Sequence, residues 1–230
     1  NNEIEVWVLM GLFHSPRIVT DGLVMALDAA NAKSYPGSGT TWKDISGNGN
    51  NATLNSVTHK SDNGGVFETA GALTSYIDNN TINLTSTNFT VFCASRYSNL
   101  ASAGRVVNAL SNNFLVGHHG GRAERYYAQG WLTYGAGSAL TEAQGRVAWR
   151  VYHACGDISG DSYDFYVNER TILTGNNAGA QGPNGLLIGK SPYSAEPSEA
   201  HTAFVYYYNR VLTKDETMQN FNAVRGRFGL

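Results

Sequence analysis

Short hydrophobic runs, separated by glycine- and asparagine-rich turns, dominate the chain from residue 23 to residue 208. The run Leu23–Leu27 is continuously apolar, which predicts a buried strand. Turn residues interrupt the later runs about every eight to twelve positions, a spacing typical of β-sandwiches and barrels. We predict further strands at 52–57, 65–68, 75–78, 89–95, 105–110, 113–118, 126–134 and 146–154, and three more between 164 and 208.

The C-terminal end changes to a helical pattern. Thr213 is followed three residues later by Glu216, the spacing of a capping box at a helix start. Gly226 lies where that helix is expected to stop. The apolar residues that recur at helical spacing between them are Met218, Phe221 and Val224. The sequence therefore predicts an all-β fold, an antiparallel jelly-roll β-sandwich with a short C-terminal helix.

Residues 1–20 differ from the rest because they are apolar and contain little turn chemistry. We predict an N-terminal arm over 1–20, which adds to a sheet edge or buries in a neighbouring protein, and one sandwich domain over 21–230. Acidic residues stand where a signal peptide would carry Lys or Arg, so no secretory signal is predicted. Met10 resembles a natural start more than Asn1 does, which makes residues 1–9 a candidate upstream extension. The apolar arm residues expected to dock include Trp7, Leu12, Phe13 and Ile18.

Composition narrows the range of partners. The chain has 230 residues, 15% of them charged, with a formal net charge of −2. With no basic patch there is no electrostatic basis for binding nucleic acid. No apolar run approaches the roughly 18 residues of a membrane-spanning helix, so no membrane partner is predicted. Cys93 and Cys155 both lie in apolar runs, which favours buried free thiols over a disulfide.

Six segments, in order along about residues 20–225, resemble those of laminin G-like modules, which are concanavalin A-like β-sandwiches. The resemblance implies the same sandwich, in a family that mostly binds ligands and only sometimes catalyses. The segments are Asp21-Gly-Leu-Val-Met-Ala-Leu-Asp28, Trp42-Lys-Asp-Ile-Ser-Gly-Asn-Gly-Asn-Asn51, Phe89-Thr-Val-Phe92, Asp164-Phe-Tyr-Val-Asn168, Leu186-Leu-Ile-Gly189 and Tyr208-Asn-Arg-Val-Leu-Thr213.

Three further segments resemble virion structural proteins of tailed phages, especially cyanophages and their marine relatives. This resemblance implies a protein on the virion surface, whose partners are other virion proteins of the capsid or tail. Association with further copies of the chain is compatible with that location, but no residue demands it. The segments are His14-Ser-Pro-Arg-Ile-Val-Thr20, Tyr35-Pro-Gly-Ser-Gly-Thr40 and Arg225-Gly-Arg-Phe-Gly-Leu230.

The richest candidate for ligand contact is the polar and aromatic stretch around the bend at Gly120 and Gly121. Aromatic faces stack on sugar rings, and Arg, His and Gln side chains hydrogen-bond to hydroxyls, a lining that fits ligand pockets in general. The alternative is that several of these residues are strand residues packed in the core, each with one satisfied polar atom. The predicted glycan contacts are His118, His119, Arg122, Arg125, Tyr126, Tyr127 and Trp131.

A weaker candidate is a calcium site in the loop that carries Asp44, Asn48 and Asn50. Hard cations bind carboxylate and amide oxygens of this kind. The same side chains can instead bond to their own backbone as Asx turns, and a single carboxylate favours that alternative. No other cofactor is predicted.

Catalysis has little support in the sequence. No pair of acids lies on one strand, as a retaining glycosidase needs, and there is no Gly-x-Ser-x-Gly nucleophile elbow. From this lack of catalytic motifs and from the two resemblances we expect a non-enzymatic virion-surface protein whose lectin-like sandwich contacts host-surface glycans. The alternative is a purely structural capsid decoration or cement protein. A glycan-degrading hydrolase, built from acids distant in sequence, is the least favoured hypothesis.

Overall fold

The computed structural model describes residues 16–133 and 142–230, and of residues 142–144 the backbone alone. Within these ranges sixteen strands form two eight-stranded sheets, and every strand pair is antiparallel. The predicted all-β antiparallel sandwich with a short C-terminal helix is therefore confirmed.

In chain order the strands are β1 (Leu23–Asp28), β2 (Thr41–Trp42), β3 (Ala52–Asn55), β4 (Thr58–Lys60), β5 (Val66–Ala70), β6 (Tyr76–Asn83), β7 (Phe89–Tyr97), β8 (Val107–Asn108), β9 (Phe114–His119), β10 (Arg122–Ala128), β11 (Trp131–Thr133), β12 (Arg150–Asp157), β13 (Ser162–Val167), β14 (Arg170–Asn176), β15 (Asn184–Ile188) and β16 (Glu199–Tyr208). The α-helices are α1 (Glu142–Val147) and α2 (Lys214–Val224), and short 3-10 turns lie at Asp62–Gly64 and Arg225–Phe228.

The two sheets bring distant parts of the chain together. The first sheet has the order β14-β13-β12-β7-β16-β5-β4, and β1 pairs with the second half of β16. The second sheet has the order β11-β10-β9-β8-β15-β6-β3-β2. The main hydrophobic core lies between them and includes Trp42, Phe89, Tyr126 and Tyr207. Both sheets end in the loops that form the candidate site.

The outer face of the first sheet carries a second apolar cluster, which α2 and the chain end cover. Tyr207 faces the core between the sheets, whereas Tyr206 and Tyr208 face outward into this second cluster. This is the alternation that a strand imposes. Because the cluster also contains Phe221 of α2 and Phe228, the helix buries a sheet face that would otherwise be exposed.

The start of α2 has the predicted capping box. The Thr213 hydroxyl accepts from the Glu216 backbone N–H, and the Glu216 carboxylate accepts from the Thr213 backbone N–H. Glu216 also pairs with Arg210 at 2.6 Å. The Arg210 hydrogen bonds hold the pKa of the Glu216 carboxyl at about 2, below its usual value of 4.5.

Three predicted strands need correction. The predicted strand at 126–134 contains a hairpin, because Tyr127 pairs with Trp131 across a tight turn; residue 134 lies outside the described residues. Residues 146 and 147 end α1, and strand β12 begins only at Arg150. Of the predicted strand at 105–110, two residues pair as β8. A turn inside the run explains the first difference, and the end of α1 at the start of the run explains the second.

Residues 16–20 of the predicted arm lie against the chain's own C-terminal part. The Val19 N–H donates to Asn220 Oδ1 at 2.8 Å, and the Tyr208 hydroxyl donates to the Val19 carbonyl at 2.9 Å. Ile18 packs against the second apolar cluster. The other arm residues, Trp7, Leu12 and Phe13, lie outside the described residues.

Candidate ligand-binding site

The structure divides the predicted glycan-contact residues between the core and the surface. His118 is fully buried, its ring 4.7 Å from that of Tyr97, and its Nδ1 lies 3.3 Å from Ser95 Oγ. Burial and the nearby arginines lower the pKa of His118 to about 3. Tyr126 is also fully buried and donates its hydroxyl hydrogen to the Cys155 carbonyl. These two residues are corrections to the prediction, because strand alternation turns them into the core, and we leave them out of the site.

The two predicted arginines differ in exposure. Arg122 is exposed at the start of β10, opposite His119 in the strand register. Arg125 is buried, with an exposed fraction of 6%, and lies opposite Gly117. Gly117 has φ +98°, and a Cβ there would lie 2.9 Å from the Tyr152 ring. Because the backbone is irregular here, neighbouring side chains differ in exposure. A residue close to the bend is therefore not necessarily exposed.

The remaining three predicted residues form one row of rings on the outer face of the second sheet, which we call the aromatic row: His119, Trp131 and Tyr127. The Trp131 ring lies 5.6 Å from the His119 ring and 5.1 Å from the Tyr127 ring. All three side chains are partly exposed. They face outward because their strand neighbours Tyr126 and Leu132 belong to the core.

An ion-pair network extends the aromatic row. Glu196 accepts from Arg105 Nε at 2.7 Å with one carboxylate oxygen, and its other oxygen lies 3.4 Å from His119 Nε2. Arg105 also donates to Asn113 Oδ1 at 2.7 Å. Partial burial raises the pKa of the Glu196 carboxyl, but Arg105 and His119 outweigh burial, and the net shift is downward. Glu196 is therefore held as a charged carboxylate that fixes the His119 ring.

Glu196 also lines an open groove of about 620 Å³ at the end of the sandwich, within the size range of small-molecule sites. Three loops form it: the β5–β6 loop, the β7–β8 loop and the β15–β16 loop. Small residues dominate the lining because the backbones approach closely; a Cβ at Gly104 would lie 2.2 Å from the Glu196 carbonyl oxygen. The lining residues are Ala70, Gly71, Asn99, Ala101, Ser102, Ala103, Gly104, Ala195, Glu196, Pro197 and Glu199.

The same three loops carry exposed large hydrophobic side chains. Leu73 is 50% exposed, Leu100 is 51% exposed and Tyr193 is 62% exposed, one from each loop. Among the described residues, the others of this kind are Ile45 and Leu230. These apolar side chains are concentrated at the rim of the groove rather than scattered over the surface. Such a concentration is typical of a contact surface.

The loop that was a calcium candidate is a closed hydrogen-bond network. The Asp44 carboxylate accepts from the backbone N–H groups of Ala26, Ser46 and Asn50 and from the Ser46 hydroxyl, all at 2.8–2.9 Å. The amide groups of Asn48 and Asn50 donate to the β1 carbonyls of residues 23 and 24. Both Asp44 carboxylate oxygens are used to shape the bend, which matches the Asx-turn alternative.

Over residues 16–133 and 142–230, no three or more His, Cys, Asp or Glu side chains are grouped so that they could hold a metal ion. In the same ranges no helix has the length and apolar character needed to cross a membrane. Cys93 and Cys155 are buried and free, as predicted.

The groove is the part of the site that sequence reasoning missed. Its clearest signal is the run Ala101-Ser-Ala-Gly104, where small residues replace the alternation of a strand. The acids Glu196 and Glu199 are visible in the sequence as a loop pair, but nothing local indicates that they meet residues about a hundred positions earlier.

Comparison with known proteins establishes the fold. No family model and no curated protein sequence matches the chain. Among solved structures, the chain is similar to the binding domain of Paraclostridial Mosquitocidal Protein 1, with a TM-score of 0.65 and 16% identity over 89% of this chain and 52% of that one. It is also similar to the receptor-binding domain of botulinum neurotoxin type G (TM-score 0.63, 14% identity, 87% of this chain and 51% of that one).

A third similar structure is the sialidase of Trypanosoma rangeli, with a TM-score of 0.59 and 15% identity over 90% of this chain and 33% of that one. The chain thus spans about half the length of the two toxin domains and a third of the sialidase. At these identities the similarity concerns the fold alone, a β-sandwich.

Proposed function

We propose that this protein is a non-enzymatic carbohydrate-binding module whose site comprises the aromatic row and the adjoining groove. The observation that carries the proposal is the continuity of the two through Glu196, which contacts His119 of the row and lines the groove. Partly exposed rings beside a polar groove provide the two contacts that a sugar needs: a flat face for stacking and hydrogen-bond partners for hydroxyls.

The acids of the site support binding without hydrolysis. A general acid in a glycosidase needs a raised pKa, so that it is protonated near neutral pH. The pKa of Glu196 is instead lowered by Arg105 and His119. Asp157, which lies in a glycine turn away from the site, accepts from Ser159 Oγ and the Gly160 N–H. We therefore propose that neither acid donates a proton to a glycosidic oxygen.

A glycan array probed with the purified protein tests this function. We expect binding to a subset of glycans and an affinity loss of about tenfold or more for Trp131→Ala, as for a central aromatic contact. Ile45→Ala is the matched control, because Ile45 is exposed at 37% on a different loop. A reducing-sugar assay on every bound glycan is expected to show no release. Equal loss in both variants, or sugar release, would contradict the proposal.

We further propose that the module is carried on the surface of a tailed-phage virion, on the capsid or tail. The support is the resemblance of segments 14–20, 35–40 and 225–230 to virion structural proteins, together with the lectin-like sandwich. Under this proposal the glycans belong to the host surface. The test is a density map or peptide analysis of purified particles, in which absence of the chain would count against the location.

The apolar composition of residues 1–13 favours a second candidate, a capsid decoration protein that docks through its arm. Deletion of residues 1–15 leaves Arg17 and Val19 in place, so their contacts with α2 are kept. Loss of incorporation into particles with retained folding is the expected result. Unchanged incorporation would argue against docking through the arm.

A further inference from the structure

The groove has a one-sided electrostatic character. Of the eleven described residues that line it, two are charged, Glu196 and Glu199, and none is basic. Asn99 directs its carbonyl oxygen to the N–H groups of Ala101 and Ser102, so that its acceptor is already used within the loop. The lining therefore offers a ligand mainly negative charge and backbone polar groups.

The two acids differ in how far their charge is compensated. Glu196 is neutralised by Arg105 at 2.7 Å. Among the described residues, the Glu199 carboxylate forms no ion pair; the Glu199 carbonyl oxygen accepts from the Ser98 N–H and the Ser102 hydroxyl. The Glu199 carboxylate thus carries a negative charge without an ion-pair partner among the described residues, while the guanidinium of Arg146 donates to the carbonyls of Leu100 and Ser102 behind the loop.

Arg105 does not supply a counter-charge to a bound anion. Its Nε donates to Glu196 and its Nη1 donates to Asn113, and its side chain is only 11% exposed. A carboxylate on a bound sugar would lie near Glu199 without a cation in the lining to compensate it. By contrast, a hydroxyl or ammonium group would find an acceptor there.

We propose that the groove selects uncharged or amine-bearing oligosaccharides and disfavours glycans that carry carboxylates, with Glu199 as the specificity-determining residue. This inference rests on the proposed glycan-binding function and adds the substrate class. Glu196 lines the groove and contacts His119 of the aromatic row, so the two surfaces adjoin. The proposed ligand is therefore an oligosaccharide long enough to contact both, rather than a single sugar.

The test is an array that carries neutral glucans and mannans, chitosan oligosaccharides and polygalacturonate oligosaccharides. Wild type is expected to bind from the first two classes and to bind the polygalacturonates at least about fivefold more weakly, the factor that one like charge at close range produces in water. Glu199→Gln is expected to reduce that discrimination by about the same factor. High salt should weaken the preference for chitosan oligosaccharides.

Asp161→Asn is the matched charge control. Asp161 is exposed in the β12–β13 turn, beside Asp157 and Ser162, at the Phe89 end of β7. The groove lies beyond the other end of this nine-residue strand, about 25 Å away at the usual strand rise. The control also preserves the backbone, since Asn tolerates the positive φ at this position.

The outcomes separate the two proposals. Binding dominated by polygalacturonates, or a Glu199→Gln variant with unchanged discrimination, overturns the charge selection while glycan binding itself stands. Equal effects of Glu199→Gln and Asp161→Asn also overturn it, because net charge rather than the groove would then decide. Absence of binding to all three classes overturns the proposed function.

Discussion

Asp44 is expected to be one of the most sensitive surface positions for stability. Its carboxylate joins β1 to the loop that precedes β3, by accepting hydrogen bonds from Ala26, Ser46 and Asn50. The perturbation is Asp44→Ala, which removes both acceptor oxygens without adding bulk. Asp44→Asn is the graded companion, because its amide retains one acceptor oxygen.

The magnitude follows from what each donor loses. The Ala26 N–H is buried, and leaving it unpaired costs about 1–3 kcal/mol. The N–H groups of Ser46 and Asn50 belong to half-buried residues, so each loses about 0.5–1 kcal/mol. We therefore expect Asp44→Ala to lower the free energy of unfolding by about 2–5 kcal/mol, and Asp44→Asn by about half as much.

The assay is urea unfolding followed by tryptophan fluorescence, in calcium and in EDTA. If the carboxylate acts through the loop alone, the unfolding midpoint of the wild type is the same in both buffers. A loss below about 1 kcal/mol for Asp44→Ala would refute the hydrogen-bond reasoning. A wild-type midpoint that falls in EDTA would show that a cation, rather than the N–H groups, occupies the carboxylate.

Three further predictions concern buried or paired groups. The pKa of Glu216 is about 2 in the folded state and 4.5 in the unfolded state. The pair with Arg210 therefore stabilises the fold fully above pH 4.5, and this stabilisation is lost as the pH falls toward 2. In urea titrations at pH 7 we expect Glu216→Gln to lower the free energy of unfolding by about 1–2 kcal/mol, after allowance for solvent screening. His153 stacks on Phe92 at 4.4 Å, its nitrogens have no partner among the described residues, and burial lowers its pKa to about 3. Stability should therefore fall as pH drops from 6.5 to 3, and His153→Phe should flatten that dependence. Burial raises the pKa of the Cys155 thiol to about 12, so a thiol reagent should label the cysteines only after unfolding; rapid native labelling would disprove this.

The sequence alone determined the architecture. Short apolar runs between turn residues specify strands, because glycine and asparagine adopt backbone angles that end a strand. The capping pair Thr213 and Glu216 fixed the start of α2, since both partners lie within one helical turn. The outward row of His119, Tyr127 and Trp131 was also within reach of sequence reasoning, because its residues lie close together along the chain.

The tertiary structure alone decided which of those residues are accessible. His118 and Tyr126 are of the same residue types as their neighbours His119 and Tyr127, but the strand register turns them into the core. A one-residue change of register exchanges the two faces of a strand, and composition carries no information about register.

The groove also depended entirely on the fold. The loops that line it come from residues 70–71, 99–104 and 195–199, which meet only because the long strand β16 pairs with β5 and with β7. The sequence does not show that these loops are close together, because the pairing of distant strands is set by core packing rather than by local preference. The free charge of Glu199 and the paired charge of Glu196 follow from that packing alone.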